Sequence, residues 1–275
     1  MTHRFSRSLH LFLLLILFTS FHLGSEEPHD FFMMTIPKSG THLMTKLLTM
    51  LTDRHPKPIT HFNVDQATLT DKEFETMMIN SKASNHFVFA HTNRAGCGDF
   101  FMRFGKAHPE YVQILQIRDL RDLIISYIFY RLDKIKVEMG GDPSFDEILT
   151  AILSRSGSIH GQVIERNVNE AIAWMHRPGV FVSKFEDLVG SDGGGSDKLQ
   201  KQAVLDLASK LGIKLSHAKL KDITYNLFGD KNGPPSATFR KGKIGEWRKY
   251  FNHEQIQLFK KNWGSYQRTL GYSVD

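Results

Sequence analysis

The 275-residue sequence predicts a single α/β domain with a central parallel sheet flanked by helices. Three observations carry that expectation. Short apolar runs of strand type alternate with helical stretches along most of the chain. One run ends in a tight Pro-Lys-Ser-Gly loop that passes directly into a helical pattern. Hydrophobic residues make up 41% and charged residues 23%, a composition that supports a core and excludes a disordered or collagen-like chain.

Residues 1–25 are set apart from the fold. Arg4 and Arg7 precede the apolar run Leu9–Phe18, which fits a secretory signal peptide or a membrane anchor. The domain is expected over residues 30–272. Asp30–Ile36 is an apolar strand closed by Pro37-Lys38-Ser39-Gly40, and Leu43, Leu47, Leu48 and Leu51 then recur at helical spacing. Asp71–Ser81 reads as a helix with Phe74, Met77 and Met78 on one face. His86–Ala90 is a buried-type strand ending at His91, and Tyr111–Ile117 is another that runs into Arg118. Leu120–Leu132 is apolar enough for a buried helix, while Phe145–Leu153 and Val163–Met175 are amphipathic helices. Val180–Phe185 is a fourth strand. Ser191–Ser196 reads as a flexible surface loop, and Lys198–Leu211 and His253–Leu270 as helices. The stretches near His55–Thr68 and Lys136–His160 are expected to face a substrate. No internal repeat is present.

Charge and cysteine content narrow the function classes. The formal net charge of +6 suggests an anionic partner, which on charge alone is a nucleic acid, a membrane surface or a phosphorylated ligand. The single cysteine, Cys97, excludes an intrachain disulfide and a cysteine-rich zinc site.

The strand–Pro37-Lys38-Ser39-Gly40-Thr41–helix stretch is the most informative arrangement. Gly40 permits close approach of a ligand, and the amides at the start of the next helix lack intrahelical partners. With the helix dipole they form an anion site, to which Lys38 adds a full charge and Ser39 and Thr41 add hydroxyls. An ordinary strand–helix turn with an exposed lysine has the same local pattern. The triphosphatase loop G-x-x-x-x-G-K-[ST] is absent, because Lys38 precedes the glycine, so ATP or GTP hydrolysis is disfavoured. Arg118 ends a strand with Ser126 eight residues on, and Arg240-Lys241-Gly242 forms a cationic, glycine-bearing segment. Arginine forks suit phosphate, although each cation taken singly also suits a salt bridge or a solvated surface.

Taken together these segments resemble the cytosolic-type sulfotransferases, which use 3′-phosphoadenosine 5′-phosphosulfate (PAPS). Thr35–Thr41 resembles their 5′-phosphosulfate loop, and Arg118 with Ser126 resembles their 3′-phosphate motif at the family's interval. Arg240-Lys241-Gly242-x-x-Gly245-Glu246-Trp247 resembles the C-terminal R-K-G-x-x-G-D-W signature, and Phe185-Glu186-Asp187-Leu188 the Y-E-D-L segment. The four occur in order from Thr35 to Trp247.

The resemblance implies a P-loop nucleoside-triphosphatase-like fold and PAPS as co-substrate, with no metal. Lys38 and the amides of Ser39, Gly40, Thr41 and His42 would grip the 5′-phosphosulfate. Arg118, Ser126, Arg240, Lys241 and Gly242 would surround the 3′-phosphate, with Asn226 and Phe228 at adenine. Sulfuryl transfer also needs a base and a cation for the leaving oxygen. Lys38 is the cation. His91 is the base, because it sits at the carboxyl edge of the sheet and an imidazole titrates near neutrality. It also takes the place of the family's K-T-H-L-P histidine; the sequence holds 14 histidines, most of them expected to be structural.

The chain departs from the family where Phe89 replaces a lysine, Leu43 a tryptophan, His42 a threonine and Phe185 a tyrosine. The segment after Trp247 also lacks the T-V pair of the family's dimer motif. The expected partners are a nucleotide sulfate donor and an acceptor hydroxyl or amine, with membrane association through the N-terminal segment and no nucleic acid. The competing expectations are a non-catalytic nucleotide-binding protein on the same fold and, behind it, a P-loop nucleotide kinase.

Overall fold

The computed structural model describes residues 27–59, 70–92, 97–155, 158–229 and 241–275. The expected leader, Arg240 and the stretch from 60 to 69 lie outside the described residues.

A five-stranded sheet organises the molecule. The strands are β1 (Phe31–Thr35), β2 (His55–Pro58), β3 (His86–His91), β4 (Val112–Ile117) and β5 (Val180–Lys184), in spatial order β2-β3-β1-β4-β5. Every pairing is parallel, as the strand–helix alternation predicts. Among the described residues ten α-helices connect and cover the strands: α1 (Thr41–Thr52), α2 (Asp71–Ala83), α3 (Cys97–Ala107), α4 (Leu120–Met139), α5 (Phe145–Ser154), α6 (Ile159–Met175), the single turn α7 (Phe185–Leu188), α8 (Asp197–Lys210), α9 (His217–Leu227) and α10 (His253–Thr269).

β1 is apolar on both faces because both are covered. Side chains alternate across a strand, so Phe32 and Met34 join the core under α2 to α6 and α10, while Phe31 and Met33 join the core under α1, α8 and α9. Phe32 makes ring contacts with Phe101, Phe104, Tyr111 and Trp174. Truncating such a buried ring costs on the order of 3–5 kcal/mol.

The structure corrects the sequence expectation in several places. His55–Pro58, expected within a substrate-facing loop, is the fifth strand. Its two prolines obscured it, yet proline is tolerated at a sheet edge, where β2 lies. α3 and α9 were not expected, and α4 continues to Met139, so little of Lys136–His160 is loop. Phe185 opens α7 rather than ending β5. The glycine segment after α7 lies at the surface, with Ser191, Asp192 and Gly194 exposed, but it is pinned at one point. Gly193 is buried, its carbonyl accepts the Ile244 amide at 3.0 Å, and a Cβ there would lie 2.3 Å from Val189 Cβ.

The strand order creates a crevice. The chain leaves β1 toward β2 and β3, whereas it leaves β4 toward β5, so the two connections diverge at the carboxyl ends of neighbouring strands. Ligands of open α/β sheets gather at such a switch point. Lys38 follows β1 there, and Arg118 follows β4.

Candidate active site

The loop after β1 is a built turn. Lys38 has φ 72° and Gly40 φ 98°, both in the left-handed region. Gly40 is required twice over, since a Cβ at this position would also stand 2.4 Å from the Phe185 ring. Ser39 is buried beneath the turn. Its hydroxyl donates to the Gln116 carbonyl at 3.0 Å, its amide donates to the Ile36 carbonyl at 3.0 Å, and its carbonyl accepts from Gln116 Nε2 at 3.2 Å. Ser39, expected to face the ligand, is therefore placed as a strut tying the loop to β4. Gly40 caps α1 with no side-chain acceptor, and no acidic residue stands in the first turn. The amides of Gly40, Thr41 and His42 and the positive end of the helix thus meet the crevice with no carboxylate to compete for them.

Two side chains complete the rim. Lys38 Nζ lies 4.2 Å from the centroid of the Tyr130 ring, itself 53% exposed. The His42 imidazole titrates below its ordinary range, first because crowding at the loop desolvates it and second because the Lys38 charge opposes protonation.

Arg118 joins this loop to the C-terminal segment. Only 7% exposed, it donates from Nη1 to the Lys38 carbonyl at 3.4 Å and from Nη2 to the Lys243 carbonyl at 2.9 Å. Its guanidinium lies 4.1 Å from the Phe185 ring centroid. Its Nε is buried with no hydrogen-bond partner among the described residues. Burial pulls the guanidinium pKa down, opposed by the charges of Asp122, Glu186 and Asp119. An anion is the natural complement of a buried cation of this kind.

The C-terminal segment is held from below by Asp122, a residue sequence reasoning missed. Its two carboxylate oxygens accept the Gly245 amide at 2.6 Å and the Trp247 amide at 2.9 Å. Burial raises the Asp122 pKa, countered first by the Arg118 charge and then by these two amides. The available signal was its position four residues after Arg118, in the first turn of α4. Lys241 pairs with Glu246 at 3.2 Å, and Gly242 takes φ 62° beside it. Ser126 is half-buried on α4 between Asp122 and Tyr130, at one-turn spacing from each. One of those neighbours binds the C-terminal segment and the other faces Lys38. Ser126 therefore lies on the face that lines the crevice.

The expected adenine residues are placed differently from each other. Asn226 donates its side-chain amide to the carbonyl and carboxylate of Asp222, at 3.1 and 2.9 Å, so the amide is spent within α9. Phe228 follows α9 and packs toward Gly193, where a Cβ would come within 3.0 Å of its ring. The glycine turn, Phe228 and the Lys241–Ile244 strand of chain thus converge, with Ile244 donating to Gly193.

His91 ends β3 directly opposite Thr35 in the β1–β3 register. Thr35 Oγ1 lies 2.8 Å from His91 Nδ1 and 2.9 Å from Thr41 Oγ1. Thr92 continues the ladder by donating its amide to the Thr35 carbonyl at 2.9 Å, and its hydroxyl donates to Asn167 Oδ1 at 3.0 Å. The structure accordingly joins His91 to the Lys38–Thr41 loop, and that loop to Arg118 and the Lys241–Lys243 segment. Thr35 and Asn167 were also missed. Thr35 was visible as the first residue of the Thr35–Thr41 segment but was given no role there, and Asn167 carried no signal. No cluster of metal-ligating side chains occurs among the described residues.

Comparison with known proteins bears on the fold and the family. Flavonol 3-sulfotransferase from Flaveria bidentis is 24% identical over 270 residues, covering 86% of this chain and 80% of its own. A solved structure of the mouse sulfotransferase SULT7A1, complexed with PAP, superposes with a TM-score of 0.58 at 17% identity and covers 88% of each chain. That likeness is one of fold. The sulfotransferase domain model matches residues 28–269, which takes in the β1 loop, Arg118 and the C-terminal segment, and the chain accordingly belongs to the PAPS-dependent sulfotransferase family.

Proposed function

We propose that the protein transfers a sulfuryl group from PAPS to an acceptor hydroxyl or amine. One observation carries the proposal. Arg118 bridges the carbonyls of Lys38 and Lys243, so the anion-binding loop and the glycine-bearing cationic segment form two walls of one crevice. His91 is hydrogen-bonded into that same loop network.

In this scheme Lys38, the amides of Gly40 to His42 and the Thr41 hydroxyl hold the 5′-phosphosulfate. Arg118, Ser126, Arg240, Lys241 and Gly242 hold the 3′-phosphate, and Phe228 offers its ring to adenine. The acceptor oxygen or nitrogen forms its bond to sulfur as the bond from sulfur to the bridging phosphate oxygen breaks. The acceptor proton passes to His91, and the electron pair of the broken bond goes to the phosphate oxygen, where Lys38 meets the growing charge. No metal enters the scheme.

The direct test uses adenosine 3′,5′-bisphosphate. It should raise the melting temperature of the wild type, and Arg240→Ala should abolish the shift. Absence of a shift at millimolar nucleotide refutes the donor assignment. His91→Ala should keep nucleotide binding and lose turnover with labelled PAPS and a broad acceptor panel. Binding without transfer by the wild type across that panel supports the non-catalytic reading. That reading is favoured by Phe185, whose ring fills the space beside Gly40 and carries no hydroxyl. We also propose that the leader directs the domain into the secretory pathway, as a cleaved signal or an anchor; the mass of the mature chain and its membrane partition test this.

A further inference from the structure

We propose that Thr35 is a positioning residue that biases His91 toward its base-competent tautomer when the donor loop holds its anion. The inference rests on the assignment of His91 as base made above. It starts from a buried hydroxyl with two partners. Thr35 is 0% exposed, and its Oγ1 sits between Thr41 Oγ1 at 2.9 Å and His91 Nδ1 at 2.8 Å.

A hydroxyl has one proton to donate, so the three-membered chain runs in one of two directions. In the first, Thr41 donates to Thr35 and Thr35 donates to His91 Nδ1. Nδ1 is then an acceptor, the neutral ring carries its proton on Nε2, and no lone pair remains for the acceptor's proton. In the second, His91 Nδ1–H donates to Thr35, Thr35 donates to Thr41, and Thr41 turns its own proton outward. Nε2 then bears the lone pair, as general base catalysis requires.

The group that Thr41 faces biases the direction. Thr41 is the first residue of α1, at the positive helix end and beside Lys38, where an anion is favoured. An anionic oxygen only accepts hydrogen bonds, so its arrival draws the Thr41 proton outward and favours the second direction. The tautomer change takes one proton off Nε2 and places one on Nδ1 by exchange with water, leaving the ring neutral. Donor occupancy is thereby coupled to readiness of the base through two hydroxyls, and an empty donor site leaves a smaller share of His91 in its base-competent tautomer.

The test reads the tautomer directly, independently of turnover. Histidine nitrogen-15 spectra of the full chain, with His91 assigned through His91→Gln, are recorded with and without adenosine 3′,5′-bisphosphate. Nucleotide should move His91 toward a pyrrole-type Nδ1 and a pyridine-type Nε2. Thr35→Val, close in shape, should bind nucleotide but lose that response. Its turnover number should fall about 10–100-fold with little change in KM, by analogy with partners that orient other functional histidines. Thr35→Ser should restore both. The coupling is overturned if bound nucleotide leaves the wild-type tautomer unchanged, or if Thr35→Val responds as the wild type does. An intact tautomer response in an enzyme that stays active as His91→Ala would instead overturn the base assignment alone. Failure of the nucleotide to bind the wild type would overturn the donor assignment and the coupling with it.

Discussion

Replacing Asp122 with alanine should detach the C-terminal wall of the crevice. The carboxylate accepts two backbone amides, from Gly245 and Trp247, and hydrogen bonds to a charged group contribute about 1.5–3 kcal/mol each. Its charge also offsets the cost of burying Arg118, a smaller contribution because the two groups make no ion pair or hydrogen bond with each other. These contributions overlap, and the variant gains back the cost of burying Asp122, which is visible in its raised pKa. The net loss is therefore about 2–4 kcal/mol. With a urea slope near the upper end of the usual ~1–3 kcal/mol per molar, the unfolding midpoint should fall by about 1 M. Tryptophan fluorescence in urea measures this, and calorimetry with adenosine 3′,5′-bisphosphate should show weakened binding in the folded variant. A midpoint within about 0.2 M of wild type, with unaltered nucleotide affinity, would refute the assignment of Asp122 as the anchor of that wall.

The remaining expectations probe other parts of the same construction. Lys38→Ala should lower single-turnover transfer by about 10²–10³-fold while stability hardly changes, because a preorganised charge at the leaving oxygen is lost. Gly193→Ala should destabilise by about 1–3 kcal/mol through overlap with Val189, read as a lower urea midpoint. Glu246 is held below its ordinary pKa chiefly by the hydrogen bond from Lys249, with burial opposing and Lys241 assisting. The folded state therefore binds this proton less readily than the unfolded chain. The stability Glu246 supplies is present above about pH 4.3 and is lost as pH falls through its depressed folded value. Urea midpoints across pH 3–7 should accordingly fall less steeply on the acid side in Glu246→Gln than in the wild type.

The sequence carried the parts of the site that depend on local chemistry. Gly40, Lys38, Thr41 and Arg118 were legible because a strand–loop–helix turn and a strand-ending arginine have short-range signatures. Strands buried on both faces, such as Phe31–Thr35, were legible from composition alone. The edge strand His55–Pro58 was not, because its prolines contradict strand propensity and only the sheet edge excuses them. The roles of Ser39 and Asn226 were hidden for a different reason. Both side chains look available in one dimension; the Ser39 hydroxyl is spent across the fold on Gln116, and the Asn226 amide within its own helix on Asp222, four residues back. Asp122 and Thr35 were obscured because their partners lie 123 and 56 residues away.

The bridge from Arg118 to Lys243 sets an order for events in the cell. All five strands are complete by Lys184, yet the second wall of the crevice belongs to residues 241–247. The base of that wall is held from farther on still, since Leu120 donates to Gln267 and Arg121 donates to Ser273. During synthesis the sheet can therefore form while the crevice stays open on one side. Nucleotide affinity should arrive late and abruptly, once α10 has left the ribosome. A chain truncated before Gly242 would retain a sheet and lack the second wall of the crevice.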